Sequence, residues 1–264
     1  MTEPKYRRPL NAEQIEVLEL LYKFRFGSNN LIAQYFGKKD RSFVFKRLKI
    51  LQEQGYIGKR FDSSYRIRGK PVAYYLLPAG ARELQNHRND TDEINIKAIY
   101  KDKTVKEQFI GHCLDIFSIY IRLKVQYGDK LKLFTKSDVA GFDYFPRPLP
   151  DAYMRLNTSH GEKQFFLDIF HDDQPFFKAV RRVKQYIEYA GSGEWSTTET
   201  DFPAILAVCE SPTLQKRLQK RITKSLDEAW DDELVFALAT KAGLSAVWQL
   251  ASEPDELVAL EEIS

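Results

Sequence analysis

The stretch DRSFVFKRLKILQEQGYIGKR, residues 40–60, decides the reading of the first third of this chain. Val44, Leu48 and Leu51 recur at helical spacing and define an inward face. Asp40 or Ser42 can cap the start, and Gly55 supplies the C-terminal stop. The outward face carries Arg41, Ser42, Phe45, Lys46 and Lys49. Lys38 and Lys39 stand just ahead of it, and Arg47 flanks the apolar stripe. Tyr56-Ile57-Gly58-Lys59-Arg60 then reads as a strand entering a hairpin. The stretch is thus an amphipathic helix with a cationic solvent face, feeding directly into a strand.

The residues before it supply two more helices. Ile15, Leu18, Leu21 and Tyr22 predict a helix over 11–25, with Asn11 as its cap and Gly27 as its stop. Ser28 can cap a second, short helix in which Leu31, Ile32, Tyr35 and Phe36 form the apolar face, and Gly37 ends it. Three short helices joined by tight turns make the core of a helix-turn-helix domain. Downstream, residues 62–70 form a polar, basic hairpin tip, 71–77 the return strand and 78–84 a short closing helix. A helix ending in QEQGYI, a basic loop and then YYLLPAGARELQ resembles many winged-helix domains. In such folds the second helix of the turn motif lies in the major groove, where Arg and Lys reach guanine edges or phosphates. Lys59, Arg60, Arg66, Arg68 and Lys70 on the hairpin suit phosphates or the minor groove. The expected boundaries are a DNA-binding domain over 1–89, a linker over 90–104 and a second domain over 105–264.

Charge placement supports a nucleic-acid partner. The whole chain carries only +3, but residues 1–89 hold 18 Lys and Arg against 8 carboxylates. Residues 225–264 hold one Lys against ten carboxylates and read as solvated surface. A basic module at one end points to a polyanion, here double-stranded DNA. An apolar fraction of 43% is enough for a real core. Cys113 and Cys209 lie far apart, which argues against a disulfide scaffold and fits a reducing cytoplasm. His87, His112, His160 and His171 have no zinc-ligand spacing. The sequence has no signal-peptide layout and no apolar run of the ~18 residues that a membrane span needs, so no membrane partner is expected.

Beyond a long helix over 105–127, with Phe109, Cys113, Phe117, Tyr120 and Leu123 in helical register, the pattern turns α/β. Strands are predicted at 131–135, 152–156, 163–169, 204–209 and 234–238, with helices over 176–189 and 214–226. The strand–helix–strand order implies a parallel crossover.

Asp151 opens one strand and Asp168 ends the next, 17 positions on, so a hairpin would set the two acids side by side. PDAYMRL, FFLDIF, RRVKQYIEYA and FPAILAVCES together resemble the PD-(D/E)xK nuclease superfamily. More narrowly, residues 10–240 resemble the replication-relaxation family, which joins a winged helix to a nuclease-like α/β domain and is associated with plasmid replication and DNA relaxation. The resemblance implies a divalent metal, Mg²⁺ or Mn²⁺, held by Asp151 and Asp168, and a nearby lysine. Two positions after Asp168 stands Phe170, not lysine. Lys184 or Lys178 on the following helix could replace it, Arg181 or Arg182 could supply charge, and Gln185 and Tyr189 give a Q-x-x-x-Y spacing.

The functional reading is a DNA-binding protein of a plasmid or other mobile element, acting in replication, relaxation or transfer. Its nuclease-like site is either a metal-dependent endonuclease or, favoured by Phe170, non-catalytic. The alternative is a winged-helix transcriptional regulator with a ligand-sensing or dimerising C-terminal domain; a homodimer is compatible with either.

Overall fold

The computed structural model describes residues 9–61, 65, 69–88, 94–229, 233–244 and 247–263. Contacts divide them into two compact units, one running to Ile121 and the other from Arg122.

In the first unit, α1 (Ala12–Phe24) opens on a capping box. The Asn11 side chain accepts the Gln14 N–H at 2.9 Å, and the Gln14 side chain accepts the Asn11 N–H at 3.0 Å. The helix ends at Arg25, with φ +65°, and not at Gly27. Gly27 lies in β1 (Phe26–Ser28), a strand too short for periodicity to reveal. Ser28 caps α2 (Asn29–Tyr35) by accepting the Leu31 N–H at 3.2 Å. Asp40 caps α3 (Arg41–Glu53) by accepting the Ser42 N–H at 2.8 Å. Gly37 and Gly55, both at positive φ, make the turns on either side of α3. β2 (Ile57–Arg60) and β3 (Ala73–Leu76) pair antiparallel, and β1 adds to the other edge of β3, giving the order β1-β3-β2. α4 (Pro78–His87) closes the wing. It approaches so closely that a Cβ at Gly80 would lie 2.3 Å from the Tyr56 carbonyl oxygen. This is a winged helix-turn-helix, with Val44, Leu48 and Leu51 of α3 buried in its core.

The compact unit does not stop at the polar stretch. α5 (Ile96–Ile99) and a following helical turn (Tyr100–Lys103) bring Asp102 into a buried position, where Arg25 donates to its carboxylate. The first part of α6 (Glu107–Tyr127) then packs on the winged helix. Phe117 stacks on Phe24 at 4.5 Å, Phe109 meets Phe26 edge-on at 6.4 Å, and Ile110 and Cys113 join Phe26, Ala73 and Tyr75. Burying side chains such as Phe24 and Phe117 is worth about 1.5–3 kcal/mol each. That apolar area ties residues 94–121 to the unit that residues 9–88 begin, whereas polarity alone suggested a linker over 90–104. Residues 89–93 lie outside the described residues.

In the second unit, α6 leads into β4 (Leu131–Thr135), the short α7 (Lys136–Val139), β5 (Ala152–Thr158) and β6 (Gly161–Phe170). There follow α8 (Phe176–Ser192), β7 (Ala204–Cys209), α9 (Pro212–Ala229), β8 (Phe236–Thr240), β9 (Val247–Leu250) and β10 (Leu257–Ala259). Among the described residues these strands form one sheet in the order β10-β9-β8-β7-β6-β5-β4. β6, β7 and β8 are parallel, with α8 and α9 as crossovers, and the outer pairs are antiparallel. All six residues of β7 are buried, as expected for a central strand covered on both faces.

Two expectations shift here. The strand predicted at 234–238 begins at Phe236, and Leu234 is buried ahead of the ladder. The acidic tail also contributes β9 and β10. Its carboxylates at Glu253, Asp255, Glu256, Glu261 and Glu262 are exposed, while Trp248, Leu260 and Ile263 are buried. The chain is therefore an α/β (α+β overall) protein: a winged helix-turn-helix followed by an α/β domain built on a seven-stranded mixed sheet. Among the described residues, no helix is long and apolar enough to cross a membrane.

Candidate nucleic-acid interface and carboxylate pair

α3 separates its residues cleanly. Val44, Leu48 and Leu51 are buried, and Arg41, Ser42, Phe45, Lys46 and Lys49 are exposed. Lys39 and Arg41 make no ion pair among the described residues. Lys46 lies close enough to Asp40 to help lower that carboxyl's pKa, after the two hydrogen bonds from Ser42. Lys49 lies 3.8 Å from Glu53 one turn on, an exposed pair of little strength. Lys59 on β2 is exposed as well. These cations stand on the elements that the sequence assigned to DNA.

Other assigned residues are engaged within the unit. Arg47 pairs with Glu13 and lies over the Phe43 ring at 3.3 Å, so its guanidinium braces α3 against α1. Lys38 lies 3.9 Å from the same Glu13 and over the same ring. Arg60 donates to the carbonyls of Lys103 and Val105 at 2.8 and 3.1 Å, which directs it toward the segment before α6 and not toward a ligand. Lys70 pairs with Glu107 at 2.7 Å. Ser42 donates its hydroxyl to Asp40 at 2.5 Å, as part of the cap. Arg66 and Arg68 lie outside the described residues.

The second constellation is built by strand register. Ala152 of β5 faces Leu167 of β6, so Asp151 stands opposite Asp168. The two hold each other through the backbone. The Asp151 N–H donates to Asp168 Oδ1 at 3.0 Å, and the Ile169 N–H donates to Asp151 Oδ2 at 2.9 Å. Both acids are buried. Lys136 Nζ donates to Asp151 Oδ1 at 2.8 Å. Arg182 Nε and the Tyr186 hydroxyl donate to Asp168 Oδ2 at 2.5 and 2.8 Å. Arg182 also donates to the Pro148 carbonyl and to the Tyr186 hydroxyl, which fixes its plane.

The electrostatics follow from burial. Desolvation pushes the Asp168 carboxyl above the usual range; Arg182 opposes the rise and Asp151 adds to it. Burial weakens the charge on Arg182, but Asp168 more than compensates, so its affinity for the proton increases. Burial, then the charge of Asp168, pushes the Tyr186 phenol well up. Tyr186 is therefore a neutral donor throughout the accessible pH range.

A divalent cation does not fit these residues. Mg²⁺ or Mn²⁺ needs carboxylate oxygens free to approach at about 2.0–2.6 Å. All four oxygens of Asp151 and Asp168 accept hydrogen bonds from protein donors, and two of those donors are cations. Among the described residues no group of three or more His, Cys, Asp or Glu could hold a metal.

Lys184 does not join the acids. It is exposed on α8, because two residues correspond to about 200° around a helix and Arg182 takes the inward position. Lys178 and Arg181 are exposed too. Tyr189 is buried and donates to the Tyr144 carbonyl, away from the acids, and Phe170 is packed in the core. Sequence reasoning missed Lys136 and Tyr186. Pairing 131–135 with 152–156 would have found the first, because Thr135 faces Ala152 and so brings Lys136 beside Asp151. The i, i+4 spacing from Arg182 would have found the second.

A winged helix-turn-helix carrying a cationic third helix, joined to an α/β domain with a paired acid cluster, defines a DNA-associated class of protein. Within that class, the chain belongs to the replication-relaxation family, whose model matches residues 18–205. Membership carries a replication-related function. No curated protein sequence matches the chain. Among solved structures, a cysteine-to-serine mutant of Lactococcus lactis ZitR is similar at 16% identity and a TM-score of 0.27, over 48% of this chain and 80% of that one. The restriction endonuclease FokI is similar at 12% identity and a TM-score of 0.33, over 92% of this chain and 44% of FokI. A structure of FokI bound to DNA is similar at 13% identity and a TM-score of 0.29, over 86% of this chain and 42% of that one.

Proposed function

We infer that this protein binds double-stranded DNA by placing α3 in the major groove, as a replication or relaxation factor of a plasmid or other mobile element. The observation that carries the reading is the outward face of α3, where Arg41, Lys46 and Lys49 are exposed around Phe45 while the opposite face is buried. Lys39 precedes that face and Lys59 lies on β2, and both are suited to phosphates. In this reading Arg47 and Arg60 are positioning residues that hold α3 and β2. The Asp151–Asp168 cluster ties β5, β6 and α8 together in place of a catalytic metal, and the α/β domain is non-catalytic. The domain division proposed is a DNA-binding winged helix followed by this α/β domain.

The test is an equilibrium titration of the full chain with duplex DNA across salt concentrations. Each phosphate contact should contribute about −0.9 to the log–log slope. Arg41→Ala with Lys46→Ala should weaken binding and flatten that slope. A folded double variant that binds like the wild type would sink the placement of α3.

A further inference from the structure

A second basic surface lies in the α/β unit and shares no residue with α3. α8 begins FFKAVRRVKQYI, with four cations and no carboxylate before Glu188. α9 begins PTLQKRLQKRITKSL, with five cations and no carboxylate before Asp227. Both helices are crossovers between parallel strands, so they run in the same direction, and they pack against one another. Arg217 of α9 lies over the Phe176 ring of α8 at 3.8 Å, which sets the two cationic N-terminal halves side by side.

Not all nine cations are available. Arg182 is spent on Asp168, and Arg221 and Lys224 both reach Glu228. Six remain exposed: Lys178, Arg181, Lys184, Lys216, Arg217 and Lys220. None of the six makes an ion pair among the described residues. Lys178, Arg181 and Lys184 follow one another at three-residue steps, and Lys216 and Lys220 are four apart. Like charges at those spacings repel and weaken a helix. A solvated surface helix relieves that repulsion by interspersing carboxylates, as α9 itself does beyond Lys224. A polyanion laid across both helices relieves it for all six at once.

We propose that the paired N-terminal halves of α8 and α9 form a second site for the phosphate backbone of duplex DNA. The inference goes beyond the α3 reading, because it uses none of its residues. The contacts are to phosphate and not to bases, since flexible lysines dominate the surface. Through this site the chain would engage more duplex than a winged helix covers, with a salt dependence steeper than α3 and β2 can supply.

The experiment compares three full-length proteins on one long duplex: wild type, the α3 double variant Arg41→Ala/Lys46→Ala, and the fourfold variant Lys178→Gln/Lys184→Gln/Lys216→Gln/Lys220→Gln. The fourfold changes are all on exposed side chains, and thermal melting by circular dichroism confirms the fold. If each lysine meets one phosphate, the fourfold variant loses about 3–4 from the log–log salt slope, at about 0.9 per contact. Its affinity at physiological salt should fall at least tenfold, and the α3 variant should retain residual, salt-sensitive binding. A folded fourfold variant with wild-type slope and affinity overturns the proposal while leaving the α3 reading intact. The reverse pattern, with loss confined to the fourfold variant, supports this surface and overturns that reading. A parallel arm with vesicles of phosphatidylserine and phosphatidylcholine tests the membrane alternative. Vesicle binding that the fourfold variant loses, with DNA binding unchanged, also overturns the proposal.

Discussion

Asp151 and Asp168 face each other across the β5–β6 pair, and each closes a hydrogen bond with the other's strand: Asp151 N–H to Asp168 Oδ1 at 3.0 Å, and Ile169 N–H to Asp151 Oδ2 at 2.9 Å. Two buried carboxylates so close repel unless a cation or a proton intervenes. Lys136 and Arg182 are those cations.

Removing Arg182 should therefore be costly. Arg182→Met leaves the buried Asp168 carboxylate without its counter-charge, a loss expected to cost about 3–5 kcal/mol. Urea unfolding should show a lowered midpoint with an unchanged slope. Adding Asp168→Asn to Arg182→Met should recover part of the loss, because the uncompensated charge is gone. A cost under about 1 kcal/mol for Arg182→Met would mean that the pair behaves as a solvated surface bridge.

The same geometry predicts indifference to metal. A ligand that binds only the folded state raises the melting temperature by mass action. Millimolar Mg²⁺ or Mn²⁺ should leave the melting temperature of the wild type unchanged, and supercoiled plasmid should stay uncut. A metal-dependent rise that Asp151→Asn abolishes would restore a metal site and with it the nuclease reading.

Much of this was legible in the sequence because local rules dominate it. Asn11 and Ser28 cap the helices they were expected to cap and Asp40, one of two candidates, caps the third, although α1 ends at Arg25 and not at Gly27. The Asp151–Asp168 juxtaposition follows from a hairpin whose tight turn is closed by Gly161 at positive φ, paired with Thr158. What was hidden depends on tertiary contact. Nothing local marks Arg60 as a donor to the carbonyls of Lys103 and Val105. The polar residues before α6 suggested a boundary there and hid that Phe109 and Phe117, read as helical, pack into the first core.

Cys209 gives a pH-dependent test. Burial, helped by the charge of Asp172, pushes its thiol from 9.0 up to about 12. A raised pKa favours the neutral form in the fold. The stability it contributes is therefore fully present below pH 9 and is lost as pH rises toward 12. Iodoacetamide at pH 8 should label neither Cys209 nor Cys113, which is also buried, in the native protein, and both after denaturation. Native-state labelling of Cys209 within minutes would mean that β7 opens far more readily than a central strand should.

Arg60 and Lys46 should separate structural from recognition roles. Arg60→Ala removes two hydrogen bonds from a charged donor to carbonyls, each worth about 1.5–3 kcal/mol. It should lower the unfolding midpoint and leave the salt slope of DNA binding unchanged. Lys46→Ala should do the reverse, leaving stability within about 0.5 kcal/mol. If Lys46 reaches a base edge, the change should also cost about 1–3 kcal/mol of discrimination between sequences. A flattened salt slope in Arg60→Ala at full stability would place Arg60 on the DNA.

Phe45 predicts something more specific about the sequence that is read. It is 52% exposed in the middle of α3, with Arg41 one turn before it and Lys49 one turn after. Phe43, two residues earlier, carries Lys38 and Arg47 over its ring, whereas Phe45 has no such cation over it among the described residues. With the flanking cations on phosphates or guanine edges, the ring would meet the groove floor, where the one apolar group is the thymine methyl. Replacing thymine by uracil in the bound site removes that methyl and changes no hydrogen-bonding edge. The wild type should bind the uracil duplex several-fold more weakly, a loss on the order of 1 kcal/mol for one methyl. Phe45→Ala should bind both duplexes alike, at the weaker affinity. Equal binding of thymine and uracil duplexes by the wild type would show that Phe45 meets no methyl group, even if α3 occupies the groove.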